Sequence, residues 1–188
     1  MKALIRSFDG LVRRGLGVFE FCDEPACLFR IQVARAAHRI ELPDGDVPAG
    51  AQVVELHLWN EHIHPIPASG PDLTWARLTH RQMVNSFRSL ANYVRQNPRV
   101  DGIQAVGGAT ILIPAPETGA AGLIRRLGFT VTPYVNPLGP VGEFWENLYT
   151  WGLMWAFNMP SLSGRRFAET HRYEMWMSAA AFLSRYGP

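Results

Sequence analysis

Alternating apolar and polar positions at residues 53–59 form the sharpest pattern in the sequence. One set of alternate positions, the apolar parity, holds Val54, Leu56 and Leu58. The other set, the polar parity, holds Glu55, His57 and Trp59. Because successive side chains of a strand point to opposite faces, the run predicts a β-strand with one core face. The second face groups a carboxylate, an imidazole and an indole. Such a set suits neither solvent nor a core, so we interpret it as the wall of a pocket.

Periodic patterns elsewhere predict an α+β order of elements. Apolar residues at three- and four-residue spacing indicate helices over 2–15 (within an amphipathic N-terminal segment, 1–16), 74–96, 119–127, 141–157 and 179–186. Strand patterns lie within 28–42, 52–59, 100–114, 129–131 and 173–177, and Gly107-Gly108 indicates a bulge or a close approach by another group. The alternation predicts a mixed, mostly antiparallel sheet flanked by helices, in a single domain spanning 1–188.

Composition narrows the class of protein. A hydrophobic content of 47% and a charged content of 18% over 188 residues predict a folded chain with a sizeable core. The net charge of +2 gives no indication of a nucleic-acid partner. Cys22 and Cys27 are predicted to be free thiols in a reducing compartment. The sequence has neither the apolar core of a signal peptide nor a run of 18 apolar residues, so the expected location is the cytoplasm.

Two segments have more than one interpretation. Segment 1–16 carries Arg6, Arg13 and Arg14, and it either packs on the domain or lies on an anionic membrane surface, which would make the protein peripheral at the inner membrane. Segment 141–157 is apolar around most of its circumference. We consider three interpretations of this segment: a central core helix, the wall of an acyl or lipid pocket, and a helix face against a membrane or partner. Its candidate ligand-binding residues are Trp145, Glu146 and Trp151.

Glu55 and His57 are the candidate catalytic residues. Partial desolvation would raise the pKa of Glu55 and leave the pKa of His57 near neutrality, which suits general acid–base catalysis. Glu55 would be the base, and His57 would be its partner or a ligand for the substrate. In the alternative interpretation, the two residues lie inside a layer between sheet and helix, each hydrogen-bonded to its neighbours. The neighbouring candidates for substrate binding are Trp59, Asn60, Glu61 and His62.

The histidine cluster and the arginine pair each have two interpretations. The side chains of His57, His62 and His64 are of the types that bind zinc or iron, but they lack an HExxH-type spacing, so no metal is expected. Arg165 and Arg166 follow Gly164 in a predicted loop, and they either bind a phosphate or carboxylate or remain solvated.

Three segments resemble the YkoP-like family, namely Glu-Leu-His-Leu-Trp-Asn-Glu at 55–61, Gly-Glu-Phe-Trp-Glu-Asn at 142–147 and Arg-Tyr-Glu-Met-Trp-Met-Ser at 172–178. The resemblance covers most of the chain. Members of the family occur alone and as a domain appended to some polysaccharide deacetylases. The resemblance therefore implies a role in cell-envelope carbohydrate or lipid metabolism.

The order of elements also resembles the C-terminal half of GNAT-type acyltransferases, from strand 52–59 through helix 119–127 to Gly128-Phe129. This resemblance implies a GNAT-like sheet, a coenzyme A thioester as acyl donor, and Glu55 as a general base acting through water. The family's Q/R-x-x-G-x-G/A loop is absent, since residues 68–76 read Ala-Ser-Gly-Pro-Asp-Leu-Thr-Trp-Ala. The chain thus lacks the amides that hold the coenzyme A phosphates in that family.

These observations favour an acyltransferase-like protein that handles an acyl or lipid group in envelope lipid or glycan metabolism. The expected partner is an acyl or lipid-like ligand, with a membrane surface as a further partner and no nucleic acid. The alternative is a non-catalytic module that binds a lipid or an envelope-biosynthesis protein through the aromatic helix. The polar face at Glu55 and His57 favours the enzyme, whereas the missing phosphate loop favours the module.

Overall fold

The described part of the chain in our computed structural model contains five α-helices, five strands and four short 3-10 helices. It comprises residues 2–65, 67, 72–111, 119–157, 159–162 and 166–188, with the backbone alone described at 2–7, 60, 119, 161 and 169. The helices are α1 (Lys2–Leu16), α2 (Leu73–Gln96), α3 (Gly119–Arg126), α4 (Gly139–Phe157) and α5 (Ala179–Tyr186). The strands are β1 (Phe29–Arg35), β2 (Gln52–Leu58), β3 (Ala105–Thr110), β4 (Thr130–Pro133) and β5 (Tyr173–Ser178). The α+β prediction is confirmed.

The strands form an open mixed sheet with the order β1-β2-β3-β5-β4. Three of its four junctions are antiparallel, and β2 and β3 form the parallel one. Their pairing is short, running from Val53 opposite Ala105 to Glu55 opposite Gly107. Since β2 continues to Leu58 and β3 to Thr110, the two strands are no longer paired with each other beyond Glu55, although β1 and β5 still pair with them on their other sides. A gap therefore lies in the middle of the sheet.

One face of the sheet carries the main hydrophobic core. The apolar parity of β2 packs there, as its pattern predicts, with Val54 and Leu56 buried against residues of α2, α3 and α5. Phe87 of α2 is fully buried at its centre, and its ring lies 5.1 Å from the ring of Phe29 and 5.1 Å from that of Tyr186. The α2 helix starts where Asp72 accepts a hydrogen bond from the backbone N–H of Trp75, as a helix cap does.

The opposite face is covered by two different structures. At one end, a small cluster that includes Ile40, Val47 and Trp176 packs over Val53 and Ala105. Towards the other end, α1 and α4 lie over the polar parity of β2. These two helices contact each other, with the ring of Phe8 at 6.1 Å from that of Tyr149 and the Tyr149 hydroxyl donating to Asp9 at 2.6 Å.

Three details differ from the sequence-based expectation. The strand predicted within 28–42 ends at Arg35, after which Ile40 makes an isolated bridge to Val47. In the region 100–114, residues 98–100 form a short 3-10 turn, the strand starts at Ala105, and residues 112–114 lie outside the described part. The interpretation of 141–157 as a central core helix is wrong, because α4 buries Gly142, Asn147 and Ala156 while its Phe144 and Trp145 are exposed.

Candidate functional site

A cavity of about 1330 Å³ lies between the sheet and the helices α1 and α4. Ligand pockets are typically roughly 300–1,000 Å³, so this volume suits a long ligand. Its lining is mostly apolar and comes from both faces of the sheet. Leu153 and Met154 of α4 line one side, and Met83 and Ile124 on the core face line the other. The cavity therefore passes through the gap between β2 and β3.

Two glycines shape the gap, in agreement with the bulge or close approach that the sequence indicates. Gly108 has φ +142°, a conformation that favours glycine, and it lines the cavity beside Leu56. Gly107 lies under the indole of Trp176, and a Cβ atom there would clash with the carbonyl oxygen of Met175. Glycine at 107 therefore allows the Trp176 indole to cross β3, and glycine at 108 allows the positive φ of the backbone beside Leu56.

Glu55 projects into this cavity from β2. Its carboxylate makes no hydrogen bond or ion pair with the residues that the structure describes. Burial raises the pKa of Glu55, and the negative charge of Glu174 raises it further. An unpartnered carboxylate with a raised pKa in an apolar cavity has the properties of a general base.

His57 lines the same cavity, two residues along β2. Its Nε2 lies 3.2 Å from the side-chain oxygen of Gln32 on β1, so a neutral ring protonated at Nε2 donates to Gln32. Burial lowers the pKa of His57 to about 4, against the opposing charge of Asp9. This pKa lies below the value near neutrality that the sequence led us to expect for His57. The hydrogen-bond partner of its ring is Gln32 and not Glu55, which leaves Glu55 available.

Glu174 on β5 adds a second carboxylate to the cavity wall. It is buried, and its Oε2 accepts from Trp176 Nε1 at 2.9 Å and lies 3.1 Å from His38 Nε2. The sequence contained a signal for it, because Glu174 and Trp176 share one parity in a strand whose other parity is apolar. Two partners hold the Glu174 carboxylate in place, whereas Glu55 has none.

An arginine-centred network closes the α4 side of the cavity. Arg172 donates through Nε to Asn147 at 3.0 Å and through a terminal nitrogen to Thr150 at 2.7 Å, and its Nε lies 3.4 Å from Glu146. Glu146 also accepts from the Tyr134 hydroxyl at 3.0 Å. Arg172 and Glu146 both line the cavity, so the charged groups of this wall are fixed by one another.

Comparison with family models places the chain among known proteins. The model of the YkoP domain matches residues 6–186. The chain belongs to the YkoP family. Its matched region contains every strand of the sheet and all the cavity residues described above. A search of curated proteins finds no match, and a search of solved structures finds none.

Several predicted binding residues of this YkoP-family chain form a separate cluster outside the cavity lining. The Trp59 and His62 rings stack with centroids 3.8 Å apart, and the Arg30 guanidinium lies 4.2 Å from the Trp59 ring centroid. Arg30 reaches Glu61 at 3.5 Å. The side chain of Asn60 lies outside the described residues. Of the residues in this cluster, Arg30 is the one that also lines the cavity into which Glu55 projects.

The candidates from α4 and the following loop have different surroundings. Glu146 lines the cavity, as stated above, whereas Trp145 is exposed on the outer side of α4. Trp151 donates through Nε1 to Thr170 at 3.0 Å and packs edge-on against Phe167. Arg166 is exposed, and Arg165 lies outside the described residues.

Within the described ranges, no three His, Cys, Asp or Glu side chains are grouped to hold a metal ion. Both cysteines are free thiols, and burial raises the pKa of Cys27 to about 11, which keeps it a poor nucleophile. No described helix is both long enough and apolar enough to cross a bilayer.

Proposed function

We propose that this protein transfers an acyl group between lipid-like molecules of cell-envelope lipid or glycan metabolism, with Glu55 as the general base. The observation that carries the proposal is the free Glu55 carboxylate in a large, mostly apolar cavity. Its raised pKa brings its basicity closer to physiological pH, where a general base is most effective. The cavity volume suits an acyl chain.

The chemical step uses Glu55 to move one proton. Glu55, directly or through one water, takes the proton from an acceptor hydroxyl or amine as its oxygen or nitrogen attacks the acyl carbonyl carbon. The bond to the donor's leaving group then breaks, and the proton passes from Glu55 to that group. Backbone groups of β2 and β3 face the gap where the strands are unpaired, which suits polarisation of the acyl carbonyl. Neutral His57 serves as a ligand for the substrate.

A coenzyme A thioester is the donor that the GNAT-type resemblance implies. The order β2-α2-β3-α3-β4 supports this, since it sets Glu55 on the expected strand beside the gap. However, Asp72 already fills the N-terminus of α2, where its carboxylate accepts from Trp75 N–H at 2.7 Å. A second anion is disfavoured there. The donor would thus be held mainly through its acyl chain, so lipid esters are donors of equal interest.

The test compares wild-type protein with Glu55→Gln and with Glu24→Gln, a matched change at an exposed residue outside the cavity. Each protein is mixed with acyl-coenzyme A or lipid-ester donors and with amine or hydroxyl acceptors, and mass spectrometry measures the acylated product. Glu55→Gln should lose on the order of a hundredfold in rate, since general base catalysis contributes that much. Glu24→Gln should match the wild type. Equal rates for wild type and Glu55→Gln would overturn the assignment of Glu55.

Binding is measured on the same proteins by thermal denaturation. A ligand at 100 times its dissociation constant stabilises the folded state by about 2.7 kcal/mol. Acyl ligands should stabilise wild type and Glu55→Gln alike, because Gln retains the shape of the side chain. Stabilisation by an oligosaccharide and by no acyl ligand would contradict the proposal.

The second candidate function is a non-catalytic module that binds a lipid or an envelope-biosynthesis protein. The mostly apolar lining and the exposed aromatic residues of α4 favour it. It predicts acyl-ligand binding without turnover of any donor, and equal behaviour of Glu55→Gln and wild type in cells.

A further inference from the structure

Large apolar side chains are exposed on the outer sides of α1 and α4. On α1, Phe8 and Leu11 are 57% and 65% exposed. On α4 the exposed residues follow the i, i+3, i+4, i+7 spacing of one helix face, and they are Val141, Phe144, Trp145 and Leu148. A face of this kind is unusual on a free protein surface and marks an interaction site.

The exposed sides of the two helices adjoin one another. The Phe8 ring packs edge-on against Tyr149, one position after Leu148, and the Tyr149 hydroxyl binds Asp9 at 2.6 Å. The inner sides of the same helices line the cavity through residues such as Val12 and Leu153. Leu16 belongs to both regions, since it lines the cavity and is 51% exposed. The apolar surface therefore reaches a mouth of the cavity at the end of α1.

The charge of α1 selects the kind of partner. Its sequence holds four basic residues, Lys2, Arg6, Arg13 and Arg14, and one acidic residue, Asp9, which gives a net charge of +3. Asp9 is buried and its carboxylate pairs with Arg13 and Tyr149, so the remaining net charge comes from Lys2, Arg6 and Arg14, of which Arg14 is exposed. Basic residues beside exposed aromatic and aliphatic side chains are complementary to an anionic lipid surface. A second copy of the chain would bring a like-charged helix to the same place.

We infer that the outer sides of α1 and α4 dock on an anionic lipid bilayer, and that the acyl-bearing substrate enters the cavity from the bilayer past Leu16. The substrate part of this inference rests on the proposed function. Docking itself does not, because it uses the opposite sides of the helices. Trp145 and Phe144 would lie at the headgroup level, where aromatic side chains are favoured.

Sedimentation with sucrose-loaded vesicles tests the docking surface. Full-length protein is mixed with phosphatidylcholine vesicles and with vesicles that also contain phosphatidylglycerol. The wild type should partition at least tenfold more strongly onto the anionic vesicles, and salt should weaken the binding. Leu11→Gln and Trp145→Gln should each reduce partitioning several-fold. Leu73→Gln is the matched control, since Leu73 is a similarly exposed leucine at the start of α2, and it should bind as the wild type does.

Three outcomes overturn the docking inference. These are a lack of binding of the wild type to anionic vesicles, equal losses for Leu11→Gln and Leu73→Gln, and a wild-type dimer in analytical ultracentrifugation that Leu11→Gln converts to monomer. Transfer with a short-chain, water-soluble substrate separates this inference from the proposed function. If vesicle binding fails while Glu55→Gln still abolishes that transfer, docking alone is wrong. If vesicles bind but Glu55→Gln transfers normally, the catalytic proposal is wrong and docking stands.

Discussion

Acidification should destabilise this protein through His57. The pKa of His57 is lowered from 6.5 to about 4 because burial disfavours the charged ring. Since the folded-state pKa lies below the unfolded one, the unfolded chain binds more protons at every pH between them. Stability contributed by the neutral, buried ring is therefore present above pH 6.5 and is lost as the pH falls towards 4.

The size of the effect follows from the two pKa values. A difference of one pKa unit corresponds to about 1.4 kcal/mol, so full protonation of His57 lowers the free energy of unfolding by about 3 kcal/mol. About 2 kcal/mol of this stability is already lost when the pH reaches 5. This is a large fraction of the roughly 5–15 kcal/mol by which small proteins are stable. His57→Gln removes the titrating group and keeps a side chain that can hydrogen-bond with Gln32.

Urea denaturation at pH 7, 6 and 5 measures this loss. The free energy of unfolding of the wild type should fall between pH 7 and 5 by about 2 kcal/mol more than that of His57→Gln. His80→Gln, which replaces an exposed histidine on α2, is the control substitution and should follow the wild type. Parallel pH profiles for wild type and His57→Gln would refute the claim that this ring is buried in its neutral form.

Two further predictions concern the framework of the site. Phe87→Ala should lower the free energy of unfolding by about 3–5 kcal/mol, because the fully buried ring at the centre of the core leaves a cavity; a loss below about 1 kcal/mol in urea denaturation would contradict this. Gly107→Ala should lower the free energy of unfolding by about 1–3 kcal/mol, because the added Cβ atom forces β5 away from β3. Gly152→Ala in α4 should be neutral or stabilising in thermal denaturation, because a Cβ atom added there meets no atom within 4 Å. Equal effects of the two glycine changes would refute the role given to Gly107.

The element order was predictable because its signals are local. The helix predicted at 74–96 is Leu73–Gln96 in the structure, since Asp72 caps its start and Asn97-Pro98 ends it. The strand predicted at 52–59 is Gln52–Leu58, and its apolar parity faces the core. Patterns of period 2 and 3.6 are read from adjacent residues, so they need no knowledge of the tertiary structure.

The candidate site was only partly predictable, because its assembly is non-local. Parity identified Glu55 and His57 as cavity residues, but the strand ends at Leu58. There the Trp59 N–H donates to Leu28, and the short turn at 60–62 brings His62 against the Trp59 ring. Glu174 reaches the cavity through a strand that pairs with β3 from the far side, and no local pattern gives that order. The exposure of α4 likewise depends on which elements pack around it.

Photolabelling would show whether an acyl chain occupies the cavity beside Glu55. The protein is irradiated with a fatty acid that carries a photoreactive group at its terminal carbon, and labelled peptides are identified by mass spectrometry. We expect labelling of cavity residues such as Leu153 and Met154, competition by unlabelled fatty acid, and loss of the label in Ala109→Phe, whose ring would fill the cavity. Labelling confined to the outer residues of α1 and α4, or unchanged labelling in Ala109→Phe, would contradict it.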